Sequence, residues 1–450
     1  MALRSLDVRL DGFDRPVGDL RSDDNGAVSF VYRQGYLADP AAMPLSLSLP
    51  LDEAPFGDAK ARSFFDNLLQ ERDGALTSIM AREGIARDDI VGLLTHLGRD
   101  CAGAISVLPP GAPPVKLPGD YEQDYTPLSD ARIEDIVQSL HRRRRLPDGS
   151  NDPSPLAGMQ SKVALTVLPD GRLAEPNPGS GAPTTHILKV PDPDHPADAR
   201  LEAQALGLSR ALGFATADAL VVPVAGVDTL LVTRFDRARD SDGRVVRLHQ
   251  EDFAQALGLP PALKYQRRGI EGRRYDAQAI RRLLDAVDDP ALARDTFIRA
   301  TVFDLLVGNT DGHAKNFALL HGPGRHFGLA PRYDVLPTRL DPALTDELAF
   351  SIGSATTIDD ITDQDFAGFL ADLGISSAAA RRRLAARVVS ETAAGLASRI
   401  KAVEEAGHKP FADLIAAHSR ILLPALGLVV PAAMTDRDAF VSRGGGWLLS

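Results

Sequence analysis

Over the first hundred residues, apolar and polar positions alternate in short spans. Residues 5–10 and 27–32 carry a period of two, which predicts half-buried strands. Phe64, Phe65, Leu68 and Leu69 recur instead at the i, i+4 spacing of one buried helical face. A strand is expected to run to Leu108, and the Pro- and Gly-rich residues 109–119 read as a linker. A helix over 129–145 and a polar run over 147–155 follow. Residues 163–168 and 172–174, joined by Pro169-Asp170-Gly171, then predict a hairpin. Further strands are expected over 185–190, 219–222 and 229–235, with a helix over 198–212 that Gly213 ends. Beyond Asp276 the period turns helical, over 277–286 and over 291–307 up to Gly308. Strands 317–320 and 326–329 bracket Gly322-Pro323-Gly324. From Thr362 onward the pattern predicts helix nearly throughout, with Leu384, Val388, Thr392, Leu396 and Ile400 at every fourth position.

Strands first and helices later predict an α+β fold, in the order that a bilobal protein-kinase-like architecture needs. At 450 residues more than one core is required. The expected division is an N-terminal α/β subdomain over 1–110, a linker and helix over 111–150, a strand-rich lobe over 151–240 and a helical lobe over 241–450. A net charge of −11 argues against a large non-specific nucleic-acid surface. Arg142–Arg145 reads as a solvated helix end, favourable against the helix dipole. The single cysteine, Cys101, excludes an intrachain disulfide framework. Residues 1–10 lack the apolar core of a signal peptide, and the longest apolar run, 421–434, is too short to span a bilayer and contains Pro424 and Pro431. The expectation is a soluble, cytoplasmic protein without membrane contact.

Candidate chemistry concentrates after Gly308, in Asn309-Thr310-Asp311-Gly312-His313-Ala314-Lys315-Asn316. Phosphoryl transfer needs an aspartate to receive the hydroxyl proton, oxygen ligands for a metal, and cations for the phosphates. Asp311 and Asn316 stand five residues apart, as the catalytic Asp and metal-binding Asn of kinase loops do. Asp334, in Pro331-Arg332-Tyr333-Asp334-Val335, follows a predicted hairpin, where a second metal-binding carboxylate would sit. The competing reading of residues 309–316 is a polar turn whose Asp and Asn cap backbone groups. His313 by itself reads as a loop-packing residue, since no other His stands at ligand spacing. Lys189 closes the apolar stretch Thr185-His186-Ile187-Leu188. Such a lysine ordinarily snorkels to water, but Glu202 on the next helix offers it a partner of the kinase lysine–glutamate type. No Walker A or complete dinucleotide pattern is present.

Taken in order, these segments resemble the HipA family of toxin kinases. The resemblance runs through Ser46–Leu51, the Phe64–Leu69 stretch, Gly98-Arg99-Asp100-Cys101-Ala102-Gly103-Ala104 and Leu156-Ala157-Gly158-Met159-Gln160-Ser161-Lys162. It continues through Pro183–Lys189, Thr233-Arg234-Phe235-Asp236-Arg237, Gln250-Glu251-Asp252-Phe253, Thr310–Phe317 and Pro331–Asp334. It implies ATP and Mg2+ as cofactors and transfer to a protein serine or threonine. By the same resemblance Ala157, Gly158, Met159, Gln160, Ser161 and Lys162 would wrap the phosphates and Lys189 would contact them. Thr233, Arg234 and Phe235 would form the adenine hinge. Asp311 would be the base, His313, Lys315, Asn316 and Tyr333 would line the nucleotide, and Asn316 and Asp334 would hold magnesium.

The family further implies an aminoacyl-tRNA synthetase as substrate and a helix-turn-helix antitoxin of HipB type as partner, with DNA reached only through it. One departure stands out: the family's regulatory serine position is Pro155 here, which leaves Ser154 as the candidate for autophosphorylation, with Ser150 and Ser161 competing. A lipid or small-metabolite kinase, or a nucleotide-binding co-repressor without turnover, are the alternative readings.

Overall fold

The computed structural model describes residues 4–69, 74–147, 161–435, 437, 440–443 and 446–449. Alternation near the N-terminus becomes a four-stranded antiparallel sheet, ordered Val28–Tyr32, Gly18–Ser22, Arg4–Leu10, Ile105–Leu108. Leu6, Val8 and Leu10 point to one side and bury against Phe30, Phe64, Phe65, Leu93 and Leu94. The helix under that sheet, Asp58–Asp66, is shorter than the apolar face that predicts it, since Leu68 and Leu69 are buried beyond its end. Asn67 ends it, with its amide donating to the carbonyls of Ser63 and Leu259, both at 2.8 Å.

A six-stranded antiparallel sheet follows, ordered Tyr125–Pro127, Leu173–Pro176, Lys162–Val167, His186–Lys189, Val227–Thr233, Ala219–Val224. The Asp130–Arg143 helix starts where the Ser129 hydroxyl accepts from the Arg132 amide, and ends at Arg144 in the left-handed region, φ 54°. Its Ile136, Val137 and Leu140 pack with Val163, Leu165 and Leu188 of the sheet. Gly18–Ser22, Tyr125–Pro127, Arg237–Arg239 and Val245–Arg247 escape sequence detection because they are short or interrupted by charge, so no period can be read from them.

Gln250–Asp252 pairs with Ala318–His321, which pairs with Phe327–Leu329, so the expected hairpin around Gly322-Pro323-Gly324 is present. Glu251 and its neighbours make a buried polar cluster with the Ser46 segment. Its carboxylate accepts from the Leu47 amide at 3.0 Å and from the Ser46 hydroxyl, and lies 3.0 Å from His321 Nε2. His249 Nε2 stands 2.9 Å from the Leu45 carbonyl. Burial pushes Glu251 up to about 7 and both His249 and His321 down to about 3.

The remaining elements are mainly helical: Asp198–Ala211, Ala277–Leu284, Pro290–Val307, Asp363–Asp372, Ala378–Ala397, Ile400–Glu405 and Lys409–Ala425. Two expectations are corrected here. The fourfold ladder is not one helix, because Ala378–Ala397 stops before Ile400 opens the next, although Val388, Thr392, Leu396 and Ile400 are all buried. The end of the chain is not helical throughout, since Phe440–Arg443 and Gly446–Leu449 pair antiparallel. Among the described residues no helix is long and apolar enough to cross a membrane.

Two compact units result, each discontinuous in sequence. One is Met1–Ala199 with Ala217–Pro261 and Ala318–Ala330; the other is Arg200–Thr216 with Ala262–Phe317 and Pro331–Ser450.

Candidate active site

In the strand-rich unit the register of the six-stranded sheet decides which side chains share a face. Lys162 lies directly opposite Lys189 and Ala164 opposite Ile187, while Leu230 and Val232 stand opposite Lys189 and Ile187 on the other side. Directly opposed residues of an antiparallel pair project to the same side, with Cβ atoms about 5 Å apart. Lys162, Lys189, Ala164, Ile187, Leu230 and Val232 therefore share one face. The other face carries Val163, Leu165 and Leu188, which pack with the Asp130–Arg143 helix. Two cations thus stand on the same face as the apolar Ile187, Leu230 and Val232. Lys189 is buried, 9% exposed, and does not snorkel to water. Glu202 is also buried.

In the expected hinge segment the side chains of Thr233 and Arg234 are engaged within the protein. The Thr233 hydroxyl lies on the helix-packed face, 3.1 Å from His186 Nε2. The guanidinium of Arg234 is buried in a two-pronged pair with Asp236, at 3.0 and 2.9 Å. Burial alone would raise the Asp236 carboxyl, but Arg234 and Arg237 hold it far below the usual range. The amides of the two hinge residues are engaged as well, Thr233 donating to the Asp218 carbonyl at 2.7 Å and Arg234 to the Thr185 carbonyl at 3.0 Å. Phe235, half-buried, follows them. Ala157–Gln160 and Ser154 lie outside the described residues. Ser161 and Lys162 lie within them, Ser161 accepting from the Val190 amide at 2.8 Å.

The helical unit brings Asp311, His313, Lys315, Asn316, Tyr333 and Asp334 together by hydrogen bonds. Asp289 and Pro290 start the helix that leads in, the Asp289 carboxylate accepting from the Leu292 amide at 3.0 Å. Gly308 ends it at φ 76°, and a Cβ there would sit 2.7 Å from Leu414, so the chain must turn on a glycine. Asn309 donates to Asp304 at 3.2 Å and accepts from the Asp311 amide at 3.1 Å. The Thr310 amide donates to the Thr338 hydroxyl at 2.9 Å. Asn316 then reaches back, its amide nitrogen 2.8 Å from the Asp311 carbonyl. That bond uses the nitrogen and orients the side-chain oxygen, the atom a metal would take, away from the loop carbonyl. The Tyr333 hydroxyl donates to the Lys315 carbonyl at 2.8 Å, tying the Asp334 segment to this loop. Arg332, paired with buried Asp304 at 2.5 Å, anchors the same segment from behind.

The polar-turn reading of residues 309–316 holds for the two asparagines. Asn309 and Asn316 cap backbone groups, as a polar turn requires, while the Asp311 carboxylate does not: Tyr265 donates its phenol to Oδ1 at 2.6 Å. His313 packs edge-on against the Tyr265 ring, centroids 5.1 Å apart, and its Nδ1 accepts from the Lys315 amide at 3.3 Å. Asp334 is exposed and adopts φ 56°. A left-handed non-glycine residue costs about 1–3 kcal/mol, a strain concentrated at functional positions. Asn316 and Asp334 offer hard oxygens, and among the described residues no group of three His, Cys, Asp or Glu could cage a metal. Two oxygen donors fit magnesium, which keeps water and phosphate in its other positions. Tyr265, Thr338, Asp304 and Arg332 were not legible in sequence: Tyr265 stands 46 residues from its partner in an aperiodic stretch.

Residues 6–108 match the HipA N-terminal domain and residues 154–400 the HipA-like C-terminal domain. The protein Y4mE of Sinorhizobium fredii, whose name calls it a kinase only provisionally, is 36% identical over 430 residues, covering 94% of this chain and 99% of that protein. The serine/threonine-protein kinase toxin HipA of Shewanella oneidensis is 28% identical over 395 residues, covering 83% of this chain and 84% of that protein. A solved structure of Shewanella oneidensis HipA with HipB and operator DNA shares the fold, with a TM-score of 0.74 at 24% identity over 94% of this chain and 98% of that one.

Proposed function

The chain belongs to the HipA family of toxin-type serine/threonine kinases, and from that premise we propose that it transfers the γ-phosphoryl group of ATP to a serine or threonine hydroxyl of a protein. The observation that carries the reading is the single hydrogen-bonded loop linking Asp311, Asn316 and, through Tyr333, the segment of Asp334. In this mechanism the Asp311 carboxylate accepts the proton as the acceptor hydroxyl attacks the γ-phosphorus and the bond to the β,γ-bridging oxygen breaks. Lys189 and Lys162 neutralise phosphate charge. Asn316 and Asp334 would hold magnesium, which when bound offsets charge on the phosphates. Main chain at Thr233–Phe235 would meet the adenine, and Ala157–Lys162 would wrap the phosphates.

The partner we infer is a helix-turn-helix antitoxin of HipB type, because the protein whose fold this chain shares is seen with HipB and operator DNA. We further propose an aminoacyl-tRNA synthetase as the phosphorylated protein and Ser154 as a site of self-modification. Purified protein incubated with labelled ATP and a cell lysate tests the reading. Label should enter protein rather than small molecules, and Asp311→Asn should lose transfer by about 10²–10⁴-fold while still binding ATP. Label confined to small molecules, or equal turnover in the variant, rejects it.

A further inference from the structure

Asp311 is held by a residue that no motif marks. The Tyr265 hydroxyl donates to its Oδ1 at 2.6 Å, within the range of a charge-assisted bond. The ring carrying that hydroxyl is itself fixed on several sides. His313 meets it edge-on, with planes at 79°. The Arg267 guanidinium lies 4.2 Å from the ring centroid and is kept there by Glu347 at 3.5 Å. The preceding carbonyl, of Lys264, accepts from the Ala314 amide at 3.1 Å, which ties the segment of Tyr265 to the Asp311 loop by main chain. Gln266, next in the chain, donates its amide to the Ala349 carbonyl at 2.8 Å, and Ala349 in turn donates to the Thr310 carbonyl at 3.0 Å. The short helical turn Gln266–Arg268 is thus stitched to the loop from two directions.

A carboxylate can rotate about its last bond, and a base that rotates spends time with neither oxygen on the acceptor hydroxyl. A donor fixed on one oxygen stops that rotation and leaves Oδ2 presented. We propose that Tyr265 is a positioning residue for phosphoryl transfer: its phenol fixes the Asp311 carboxylate, and Arg267, stacked on the ring, fixes the phenol. The inference rests on the kinase reading of Asp311 and deepens it. It involves no covalent role for Tyr265, whose proton stays on its own oxygen.

The test is steady-state kinetics on the full chain for wild type, Tyr265→Phe, Arg267→Ala, the double variant and Asp311→Asn. Tyr265→Phe keeps the ring and its packing, so its thermal midpoint and its KM for ATP should match wild type while kcat falls about 10–100-fold, a fraction of what a general base supplies. Arg267→Ala should lower kcat about threefold to tenfold, also at constant KM. The double variant should be no slower than Tyr265→Phe alone, because both act through one carboxylate. A kcat for Tyr265→Phe within twofold of wild type overturns the proposal. So does a fall in kcat that comes with a raised KM and a lowered midpoint, which marks a merely structural role, or a double variant whose losses multiply. If wild type and Asp311→Asn are equally inactive, the kinase reading fails and this inference with it. An active wild type, an inactive Asp311→Asn and an unaffected Tyr265→Phe defeat this inference alone.

Discussion

In the strand-rich unit, Lys162 and Lys189 share a face because antiparallel register puts them opposite each other. In the helical unit, Asp311 holds its place through side chains that reach it from residues 265, 309 and 316. The first arrangement is carried by many main-chain bonds and by parity, so one side-chain change removes a charge but leaves the geometry. The second is carried by individual side-chain bonds, each of which can be deleted. Chemistry that needs only positive charge near phosphates tolerates the first kind of support. A base and its metal ligands, the roles proposed for Asp311, Asn316 and Asp334, would need orientation within a few tenths of an ångström, which is what the second kind can supply.

The sharpest break of this comparison is Asp334→Ala. It removes the carboxylate proposed to hold magnesium and leaves a Cβ at φ 56°, a backbone that alanine tolerates no better than aspartate. Turnover at fixed magnesium should drop about 10²-fold or more, as losses of preorganised electrostatic groups do, while the thermal midpoint stays close to that of wild type. Isothermal titration of ATP with and without magnesium checks it, and an unchanged metal dependence would make Asp334 structural.

Next in size is a charge deletion on the sheet. Lys189→Met should weaken ATP binding about 10–100-fold, the worth of a charge-assisted contact, with the fold intact because register does not depend on it. Lys162→Met, at a more exposed position, should cost less. Equal and negligible effects would remove the lysine pair from the site.

Thr338→Val probes loop support without touching a reacting group. Its hydroxyl accepts from the Thr310 amide and donates to the Gly308 carbonyl at 3.2 Å. Replacing it with an isosteric methyl leaves buried polar groups unmet, a loss of about 1–3 kcal/mol. Denaturant unfolding measures that loss, and kcat should fall with it. A kcat that stays put would show that the loop does not need this bond.

The smallest effect concerns a strand-rich region away from the lysines. His249 and His321 have folded values near 3 against an ordinary 6.5, and Glu251 about 7 against 4.5. Between pH 4.5 and 6.5 the unfolded chain gains two histidine protons that the folded one refuses, while the folded chain keeps one on Glu251. The unfolded state thus binds about one proton more, and stability should fall as pH drops through that window, by roughly 1.4 kcal/mol per unit at most. The Glu251 share runs the other way, being lost as pH rises toward 7. Unfolding midpoints at pH 7.5 and 5.5 check the slope, and His321→Gln, which removes one histidine, should flatten it.

Much of the frame was legible in the chain. Period two gave Arg4–Leu10, a short apolar run gave His186–Lys189, and the turn residues marked the hairpin ending in Phe327–Leu329. Gly308 announced the end of the helix before the loop, and the five-residue step from Asp311 to Asn316 closed as a real hydrogen bond. Short charged strands such as Val245–Arg247 stayed hidden because Arg247 is buried against Asp11 and Asp100, partners far away in sequence. Local pattern reports which residues shun water, and charges buried in pairs break that report.

By itself the sequence determined the order of the longer, periodic elements, the loop that carries Asp311 and Asn316, and the residue types that phosphoryl transfer needs, since these follow from short-range periodicity and spacing. Tertiary structure alone decided that Lys162 faces Lys189, that Arg247 is buried against Asp11 and Asp100, and that Tyr265 holds Asp311. Each of those depends on strand register or on contacts between segments distant in sequence, where the energy lies in pairing geometry that no local pattern encodes.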